Sequence, residues 1–542
     1  MELNLAEIHE ALAAALTDRP CIVWRDNTWT WAEVTDRTRR LANVLGNHGI
    51  GRSANITDMA GWESPHDHVG LYLHNGNAYL EGQLAASKAG AAAFNVNYRY
   101  VADELAYLLR DSNAAAIVYH GTFSATLADV LPRLDREPLL IRVDDGTGEE
   151  LLPGAVDYEA ALDAASAERP DVVWVPEDLY LLYTGGTTGN PKGVLWTQAD
   201  FLVAALGVRR NDGADHRSLD DLVGPAIARN LATLPAPPLM HGAAMWNALS
   251  TWIGGGTIVI QDTVDHMDPA DILDTCERHG VTSLLIVGDA FARPLIDEQR
   301  LRPRNLGALR FILTGGAILS PAVRAELIEQ VPQVRIVDVL GSSETGRQAV
   351  SNTRSGDQIG PTRFEPSSTT AVLSDDCTRV LDPGDPEIGW LAQGGRIPRG
   401  YLGDETKTLA TFPVVQGRRW AVAGDRAAWR SDGTIELHGR ESVTINTGGE
   451  KVFAEEVEQA LKHHPAVYDA LVVGRPSERW GQEVVAVVAL REGAIVDLES
   501  LRVTASQHLA RYKLPKAVVF RESISRSPSG KPDYAWAREQ VG

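Results

Sequence analysis

The 542-residue sequence has only three cysteines, Cys21, Cys276 and Cys377. They are odd in number, lie far apart and form no Cys-x-x-Cys pair, so the sequence predicts neither a disulfide framework nor a zinc site. The N-terminus reads MELNLAEIHEALAAAL, which is amphipathic and acidic and lacks the basic start and cleavage pattern of a signal peptide. These absences together predict a protein of the reducing cytoplasm.

Basic side chains are also scarce. The sequence has 51 lysines and arginines against 72 aspartates and glutamates, and its formal net charge is −21. Because a field of that sign repels nucleic-acid backbones, we expect no nucleic-acid partner. Smaller anions can still bind where a few local cations and backbone N–H groups meet. The hydrophobic fraction of 44% is ordinary for a globular protein, and the length allows three or four domains.

One long window has no charged side chain. Residues 230–261 contain no Asp, Glu, Lys or Arg, and their number would suit a membrane span. Prolines at 235, 237 and 238 and three glycines at 254–256 interrupt the window, which therefore reads as loop, buried helix, turn and buried strand. The sequence predicts no transmembrane segment.

Strand and helix patterns alternate through most of the chain. Two β-α-β units fall between residues 69 and 119, and further alternation runs from residue 201 to residue 340. Such alternation predicts parallel sheets covered by helices on both faces. From Phe364 the pieces become shorter and are punctuated by glycine, which predicts a small β-rich subdomain.

The last hundred or so residues form a compact α+β pattern, enough for a core of their own. The predicted fold class is therefore α/β. Residues 1–439 form a large N-terminal domain of two parallel-type α/β sheet subdomains plus the small β-rich subdomain. Residues 440–542 form a small α+β C-terminal domain.

The most informative stretch is residues 181–193, which read LLYTGGTTGNPKG. Glycines let backbone N–H groups converge on an anion, while threonine hydroxyls and one ammonium add donors without bulk. The stretch therefore predicts a phosphate-binding loop, although on composition alone it could be a surface turn. It is not a Walker loop, because Pro191 precedes Lys192 and Gly193 follows it.

Six further motifs follow this loop. They are LMHG at 239–242, GGA at 315–317, DVLGSSET at 338–345, Gly424-Asp425, Gly439-Arg440 and PSGK at 528–531. In this order, after residues 184–193, they resemble the signatures of the adenylate-forming superfamily, which includes acyl-CoA synthetases, peptide-synthetase adenylation domains and luciferases. Residues 94–99, 288–294 and 341–346 look like those of actinobacterial fatty-acid and sterol side-chain CoA ligases.

The resemblance implies an AMP-forming acyl-CoA ligase. Such an enzyme joins a carboxylic acid to ATP, releases pyrophosphate, and then transfers the acyl group from acyl-AMP to coenzyme A. ATP, Mg²⁺ and coenzyme A are the implied cofactors and co-substrates. The implied acid is a fatty or sterol side-chain acid, for which small residues such as Ala243, Ala244 and Gly288 would leave space. The sequence is compatible with a homodimer.

The resemblance also assigns roles to residues. The catalytic residues would be Lys531, His241, Thr187 and Glu344, with Thr187 and Glu344 also holding Mg²⁺. Lys531 would neutralise the attacking carboxylate and the developing phosphoryl charge, and loss of such a donor typically costs on the order of 3 kcal/mol of barrier. Nucleotide and coenzyme A would be bound by Thr184, Gly185, Gly186, Thr188, Gly189, Lys192, Gly315, Gly316, Ala317, Asp338, Leu340, Gly341, Ser342, Ser343, Asp425, Arg440, Gly448, Gly449 and Glu450.

Two positions depart from the family pattern. The residue before Gly341 is usually aromatic and stacks on adenine, but here it is Leu340. The hinge position, commonly Asp or Lys, is Ser442. In the family the C-terminal domain is mobile and rotates about this hinge, which would replace the Lys531 loop by residues 447–451, whose glycines admit pantetheine.

Each signature also has a plain structural explanation. Lys531 could lie in a solvated turn, His241 could be a packed core residue, Glu344 could cap a helix, and Asp425 could form a surface pair with Arg426.

Two other functions stay open as well. One is a fatty acyl-AMP ligase that transfers the acyl group to a carrier protein. The other is a nucleotide-binding homologue that has lost catalysis.

Overall fold

The computed structural model describes residues 2–184, 190–358, 366–447 and 450–542. The first region begins with helices that pack against short strands. Its elements are α1 (Leu5–Leu16), β1 (Pro20–Trp24), β2 (Asn27–Thr30), α2 (Trp31–Asn47), β3 (His68–Tyr72), α3 (Asn77–Lys88), β4 (Ala92–Asn95), α4 (Ala102–Asp111), β5 (Ala114–His120), α5 (Ser124–Val130), β6 (Leu139–Val143), β7 (Val156–Asp157) and α6 (Tyr158–Ala164).

The second region continues the alternation. Its elements are β8 (Leu179–Thr184), β9 (Lys192–Thr197), α7 (Gln198–Ala204), α8 (Leu219–Ile227), β10 (Ala232–Pro235), α9 (Gly242–Ile253), β11 (Thr257–Ile260), α10 (Pro269–Arg278), β12 (Ser283–Ile286), α11 (Gly288–Leu301), β13 (Phe311–Gly315), α12 (Pro321–Gln330), β14 (Arg335–Ser342) and β15 (Gly346–Thr353).

The rest of the chain is richer in strands. A β-rich part contains β16 (Thr370–Leu373), β17 (Gly389–Gly394), β18 (Gly400–Tyr401), α13 (Glu405–Thr411), β19 (Val414–Val415), β20 (Arg418–Trp429) and β21 (Ile435–Arg440). The C-terminal part contains β22 (Thr444–Thr447), β23 (Glu450–Phe453), α14 (Ala454–Lys462), β24 (Val467–Ser477), β25 (Gly481–Leu490), α15 (Leu498–Ser506), β26 (Ala517–Arg521) and α16 (Tyr534–Val541).

Two large sheets are mainly parallel. Among the described residues, one has eight strands in the order β15-β14-β13-β12-β10-β11-β1-β2, with antiparallel strands only at its two edges. The other has five parallel strands in the order β4-β3-β5-β6-β7. The sequence of β5, AAAIVYH, is buried along its whole length, as a strand covered on both faces must be.

Local sequence explains where the covering helices begin and which face they bury. A capping box starts α2, because the Thr30 side chain accepts from the Glu33 N–H and the Glu33 carboxylate accepts from the Thr30 N–H. Helices α1, α2, α3 and α9 contribute Leu12, Leu41, Leu80 and Leu249 to one core that also holds strand residues of both parallel sheets. These helices therefore lie between the two sheets.

Three further sheets complete the part of the chain that the structure describes. Strands β18, β9 and β8 form an antiparallel sheet. Strands β16, β17, β20, β19 and β21 form the sheet of the β-rich part, and the C-terminal part has the order β23-β22-β25-β24, with β26 parallel to β25.

The C-terminal part has a separate hydrophobic core. Within the described ranges, every residue of this core follows Ser442, from Val443 to Val541. The α/β class, with two parallel-type sheets, a small β-rich part and a C-terminal α+β part, is confirmed. The domain boundaries at 1–439 and 440–542 stay a prediction. No helix in the described ranges is both long and apolar enough to cross a membrane.

Candidate active site

The predicted phosphate loop lies between two strands of one hairpin. Strands β8 and β9 are antiparallel, and Thr184 pairs with Lys192 where the loop begins and ends. The Lys192 ammonium forms an ion pair with Asp404, which fixes the base of the loop to the segment after β18. The loop residues Gly185, Gly186, Thr187, Thr188 and Gly189 lie outside the described residues, so their roles stay predictions.

Glu344 lies in the tight turn that joins β14 to β15. It does not lie at the start of a helix, so the helix-cap explanation is wrong. Gly341 makes the turn possible, because a Cβ at this position would lie 2.1 Å from the carbonyl oxygen of Gly346. In the same turn the Ser342 N–H donates to the Thr345 hydroxyl at 3.0 Å. The sequence SSETG thus presents a carboxylate at the tip of a rigid hairpin.

Two aromatic residues connect this turn to the loop hairpin. The Tyr401 hydroxyl donates to Glu344 Oε1 at 2.9 Å, and Tyr401 pairs with β9 in the small antiparallel sheet. The Trp196 indole N–H, on β9 itself, donates to the carbonyl of Ser343 at 2.9 Å. The predicted phosphate loop and the predicted magnesium carboxylate therefore share one hydrogen-bonded support.

Asp425 and Arg440 face each other across β20 and β21. They are register partners, and Arg440 Nε lies 3.3 Å from Asp425 Oδ1. Asp425 raises the pKa of Arg440 despite its burial, and Glu344 and Glu455 raise it further. The alternative pairing of Asp425 with Arg426 is wrong, since Arg426 is buried and pairs with Asp375 at 2.7 Å.

Lys531 comes from the other end of the chain to the same site, which we call the cleft between Glu344, Arg440 and the segment around Gly316. The tight turn before it is closed by a bond from the Gly530 N–H to the Ser527 carbonyl at 2.8 Å. A Cβ placed on Gly316, at the end of β13, would lie 3.8 Å from Lys531 Cε. The lysine side chain therefore lies against the GGA motif at 315–317, one of the predicted nucleotide-binding segments.

The ionisation of Lys531 reflects this position. Desolvation lowers its pKa, Arg440 lowers it further, and Glu344 opposes both. Lys531 nevertheless keeps a large part of its surface exposed. Both properties fit a side chain that enters an open cleft, with solvent on one side and protein on the others.

His241 begins helix α9 within the motif LMHG. Burial first, and then the charge of Lys531, lowers the pKa of His241 to about 3, so its imidazole is neutral at ordinary pH. Its Nε2 atom is buried and finds no hydrogen-bond partner among the described residues. A neutral ring with one unsatisfied nitrogen can form a hydrogen bond with a ligand.

Two asparagines that sequence analysis did not single out hold this motif. Asn95 donates to the carbonyls of Tyr183 and Met240 at 2.9 and 2.8 Å, and the Leu239 N–H donates to Asn75 Oδ1 at 2.6 Å. Both asparagines follow or end parallel strands, and this position could have marked them as site residues in the sequence. Tyr401 could have been marked by its place in the glycine-flanked sequence GYLG.

Not every predicted residue points into the cleft. The Asp338 carboxylate pairs with the buried guanidinium of Arg324 at 2.9 Å, which gives it a partner within the protein. Leu340 packs against the aliphatic core of the β-rich part. Gly315 and Ala317 flank Gly316. Glu450 is exposed at the start of β23, and Gly448 and Gly449 lie outside the described residues.

Glu344 is the described carboxylate that the site offers to Mg²⁺. The described parts of the chain contain no group of three or more His, Cys, Asp or Glu side chains that could hold a metal alone. Mg²⁺ bound with a nucleotide usually needs only one or two carboxylates, because phosphate oxygens and waters complete its octahedron. Glu344, which has one oxygen committed to Tyr401, fits that requirement.

Comparisons with known proteins agree with this geometry. Residues 9–401 match the AMP-binding enzyme family, and residues 456–531 match the AMP-binding enzyme C-terminal domain. The chain is 49% identical over 536 residues to the medium-chain acyl-CoA ligase Mig of Mycobacterium avium, covering 98% of this chain and 97% of that protein. It is 38% identical to the 3-oxocholest-4-en-26-oate–CoA ligase of Rhodococcus rhodochrous, covering 100% and 96%.

Solved structures show the same fold at lower identity. The anthranilate CoA ligase AuaEII in complex with anthranoyl-AMP superposes with a TM-score of 0.82 at 20% identity, over 99% of this chain and 97% of that one. ATP-bound MatB from Rhodopseudomonas palustris gives 0.79 at 23% identity, over 99% of both chains. Because the family match spans well over half of the sequence and the relatives align over nearly their full length, the chain belongs to the AMP-binding enzyme family.

Proposed function

We propose that this protein is an AMP-forming acyl-CoA ligase. In the first half-reaction a carboxylate oxygen attacks the α-phosphorus of ATP, the bond to the bridging oxygen breaks, and pyrophosphate leaves. In the second, the thiol sulfur of coenzyme A attacks the acyl carbon, the thiol proton is lost, and AMP leaves. Both steps are transfers without redox change, so positioning and electrostatic stabilisation supply most of the catalysis.

The observation that carries this proposal is the position of Lys531. The Lys531 side chain contacts the segment around Gly316, and its charge lowers the pKa of His241. The pKa of Lys531 is itself lowered by Arg440 and raised by Glu344. A cation at this point can attract the acid carboxylate and stabilise the charge that develops on the α-phosphate. The neutral ring of His241 can donate one hydrogen bond to the same oxygens without adding a second positive charge.

The remaining side of the cleft suits a nucleotide. Asp425 can accept from two ribose hydroxyls while Arg440 keeps the carboxylate oriented. Glu344 would hold Mg²⁺, together with Thr187 of the loop, and the metal would supply charge neutralisation for the leaving pyrophosphate. Leu340 stands where the family usually has an aromatic residue and packs against the β-rich part, so we expect weaker adenine binding than a stacking ring would give.

The proposed acid is a medium- or long-chain fatty acid or a sterol side-chain acid. The relatives named above are ligases for such acids, and the residues next to His241 in this chain are small, Gly242, Ala243 and Ala244. Small side chains at the start of α9 leave room beside the reacting carboxylate. Coenzyme A is the proposed acceptor, with residues 447–451 as its contact after the C-terminal part rotates.

A panel of acids tests the proposal. Purified protein would be incubated with ATP, Mg²⁺ and short, medium, long or steroid-borne carboxylic acids, with and without coenzyme A, and AMP release would be measured. We expect AMP release that requires coenzyme A and is fastest with a medium, long or steroid-borne acid. Lys531→Ala should remove it, while Lys513→Ala, the same change elsewhere in the C-terminal part, should not.

Other outcomes would identify the alternatives. AMP release with a holo carrier protein but not with coenzyme A would indicate a fatty acyl-AMP ligase. Nucleotide binding without turnover of any acid would indicate a homologue that has lost catalysis. Either result would overturn the proposed reaction.

A further inference from the structure

Four charged side chains form a buried row between helix α11 and the loop that carries Lys531. Lys462 Nζ, at the end of α14, lies 3.8 Å from Asp289 Oδ2 on α11 and 3.0 Å from Asp469 Oδ1 on β24. Arg526 donates to both oxygens of Asp469, at 2.8 and 2.9 Å. These four side chains are at most 14% exposed.

The row ends at the lysine loop itself. Arg526 Nη1 donates to the carbonyl of Gly530 at 3.0 Å, directly before Lys531. Burial raises the pKa of Asp469, but the charges of Lys462 and Arg526 outweigh it and hold the pKa well below its usual range. Asp469 is therefore an anion between two cations, and it transmits the position of Lys462 to the loop.

Asp289 depends on this row for its charge balance. Its Oδ1 atom accepts from the Ser320 N–H at 2.8 Å, whereas its Oδ2 atom is buried and accepts no hydrogen bond from the described residues. A buried carboxylate is costly unless a cation compensates it, and the cation paired with it, Lys462, comes from the C-terminal part. The pair therefore exists only while α14 lies beside α11.

The start of α11 also packs against the loop that carries Lys531. A Cβ placed on Gly530 would lie 3.2 Å from the carbonyl oxygen of Val287 and 3.3 Å from the ring of Phe291. One turn further along α11, the Arg293 guanidinium lies 5.8 Å from the centre of the Tyr468 ring. The seam between the two parts of the chain is thus built of close backbone packing and charge contacts.

We propose that the Asp289–Lys462 ion pair, acting through Asp469 and Arg526, is a positioning device that holds Lys531 in the cleft for acyl-AMP formation. It rests on the function proposed above, and it predicts that the device acts in the first half-reaction alone. When the C-terminal part turns for thioester formation, the two charges separate into water, where hydration replaces the pair. An ion pair suits this task because each charged group is stabilised in both states, by its partner when paired and by water when separated.

Replacing the lysine tests the device with matched controls. Lys462→Met removes the charge and keeps the aliphatic stem, whereas Lys462→Arg keeps the charge. Lys513→Met is the control, because it removes a lysine that pairs at 2.7 Å with Glu456 on α14, the helix that carries Lys462. Single-turnover acyl-AMP formation should fall at least about tenfold in Lys462→Met, because a small misplacement of a catalytic group has effects of that size. Lys462→Arg should restore most of the rate, and Lys513→Met should change little.

Thioester formation from supplied acyl-AMP and coenzyme A is the readout that separates positioning from general damage. It should stay within about twofold of the unmodified protein in Lys462→Met, since Lys531 has left the cleft in that step. Equal losses in both half-reactions, or no greater loss in Lys462→Met than in Lys513→Met, would overturn the proposal. If Lys462→Met does not fold, Asp289→Asn removes the same pair from the other side and has the same expected outcomes.

A distance measurement tests the device without ligase activity. Spin labels would be placed at Leu301→Cys and Ile495→Cys, whose native side chains are 76% and 97% exposed, in a Cys377→Ser background. Cys21 and Cys276 are buried and should not react. Without substrates, Asp289→Asn should add a second distance to the distribution. An unchanged distribution would overturn the device, whereas an added distance in a protein without ligase activity would retain it and reject the proposed reaction.

Discussion

The two sides of the cleft are held in place by different forces. Asp425 and Glu344 lie on or between antiparallel strands, where ladders of backbone hydrogen bonds set their positions. Lys531 lies on a loop whose links to α11 are an ion-pair row and close packing at Gly530. A ladder must unfold before its residues can leave, whereas a charged seam can exchange its partners for water. The difference supports the proposal that the Lys531 side of the site is the one that moves.

The C-terminal part also differs between its interior, which is apolar, and its contact with α11, which includes charged groups. Its core is formed by Val, Leu, Ala and Ile side chains together with Tyr534, and these hold α14, α15 and α16 against one sheet. At its seam with α11, the contacts include the Asp289–Lys462 pair and the Arg293–Tyr468 pair. Polar seams between apolar cores are typical of domains that move relative to one another.

The largest effect should come from the mobile side. Lys531→Ala should lower the rate of acyl-AMP formation by roughly a hundredfold or more, since it removes a donor to developing charge. Thioester formation from supplied acyl-AMP should be nearly unchanged. Pyrophosphate release in a single turnover measures the first rate, and coenzyme A consumption measures the second. Equal loss of both rates would place Lys531 among the fixed residues and would contradict the comparison.

The next effect concerns the fixed side. Glu344→Ala should lower kcat/KM for ATP by roughly a hundredfold and raise the Mg²⁺ concentration needed, because it removes the proposed metal carboxylate. Tyr401→Phe removes only the hydrogen bond to Glu344 and should cost roughly fivefold, as one neutral donor contributes about 1 kcal/mol. Steady-state kinetics at several Mg²⁺ concentrations measure both. If Tyr401→Phe cost as much as Glu344→Ala, the hydroxyl rather than the carboxylate would be the essential group.

Sequence alone was sufficient for features with local signatures. The positions of Gly316, Gly341 and Gly530 could be predicted because turns at strand ends and before the lysine need glycine, and the motif order placed them in one site. Strands such as β5 and helices such as α12 follow from short hydrophobic patterns. The function class followed from the same local motifs.

Tertiary partners could not be predicted in this way. Tyr401 and Glu344 are separated by more than fifty residues, and Asp289 and Lys462 by more than a hundred and fifty, so no periodic pattern connects them. The hairpin of β8 and β9 was not predicted, because β-α alternation around it favours a parallel strand followed by a helix. Asp338 was assigned to the nucleotide by its motif, whereas strand alternation and the buried Arg324 give its carboxylate another partner.

A smaller effect should follow from stiffening the hinge. Ser442 lies in the short 3₁₀ turn Glu441–Val443 between β21 and β22. Ser442→Pro fixes φ at about −65°, within the range typical of a 3₁₀ turn, so acyl-AMP formation should continue, but rotation about the hinge should be hindered. Thioester formation from supplied acyl-AMP should therefore fall roughly tenfold. Ser442→Ala, which removes the hydroxyl and keeps the backbone free, is the control and should change neither half-reaction by more than about twofold.

The smallest effect is a difference in pH dependence between the two parts. Burial lowers the pKa of His68 and of His120 in the N-terminal part to about 4, below the ordinary value of 6.5. As the pH falls, these histidines become protonated in the unfolded chain at a higher pH than in the folded chain. The N-terminal part should therefore have its full stability above pH 6.5 and lose stability as the pH falls toward 4. Burial raises the pKa of Glu458 in the C-terminal part to about 7 from 4.5. The folded carboxyl binds its proton more tightly than the unfolded one, so this stabilisation is complete below pH 4.5 and is lost as the pH rises through 7.

Hydrogen exchange at pH 5 and pH 8, corrected for intrinsic rates, measures the stability of each part separately. From pH 5 to pH 8 the two histidines should add roughly 3–4 kcal/mol to the N-terminal part, and Glu458 should cost the C-terminal part a similar or smaller amount. Glu458→Gln, which keeps an oxygen for the Val472 N–H, should weaken the C-terminal pH dependence, leaving the contribution of Glu455, whose pKa burial also raises to about 7, and should leave the N-terminal profile unchanged. If the stability of both parts changed in the same direction with pH, the proposed difference in buried titratable groups between the N-terminal and C-terminal parts would be contradicted.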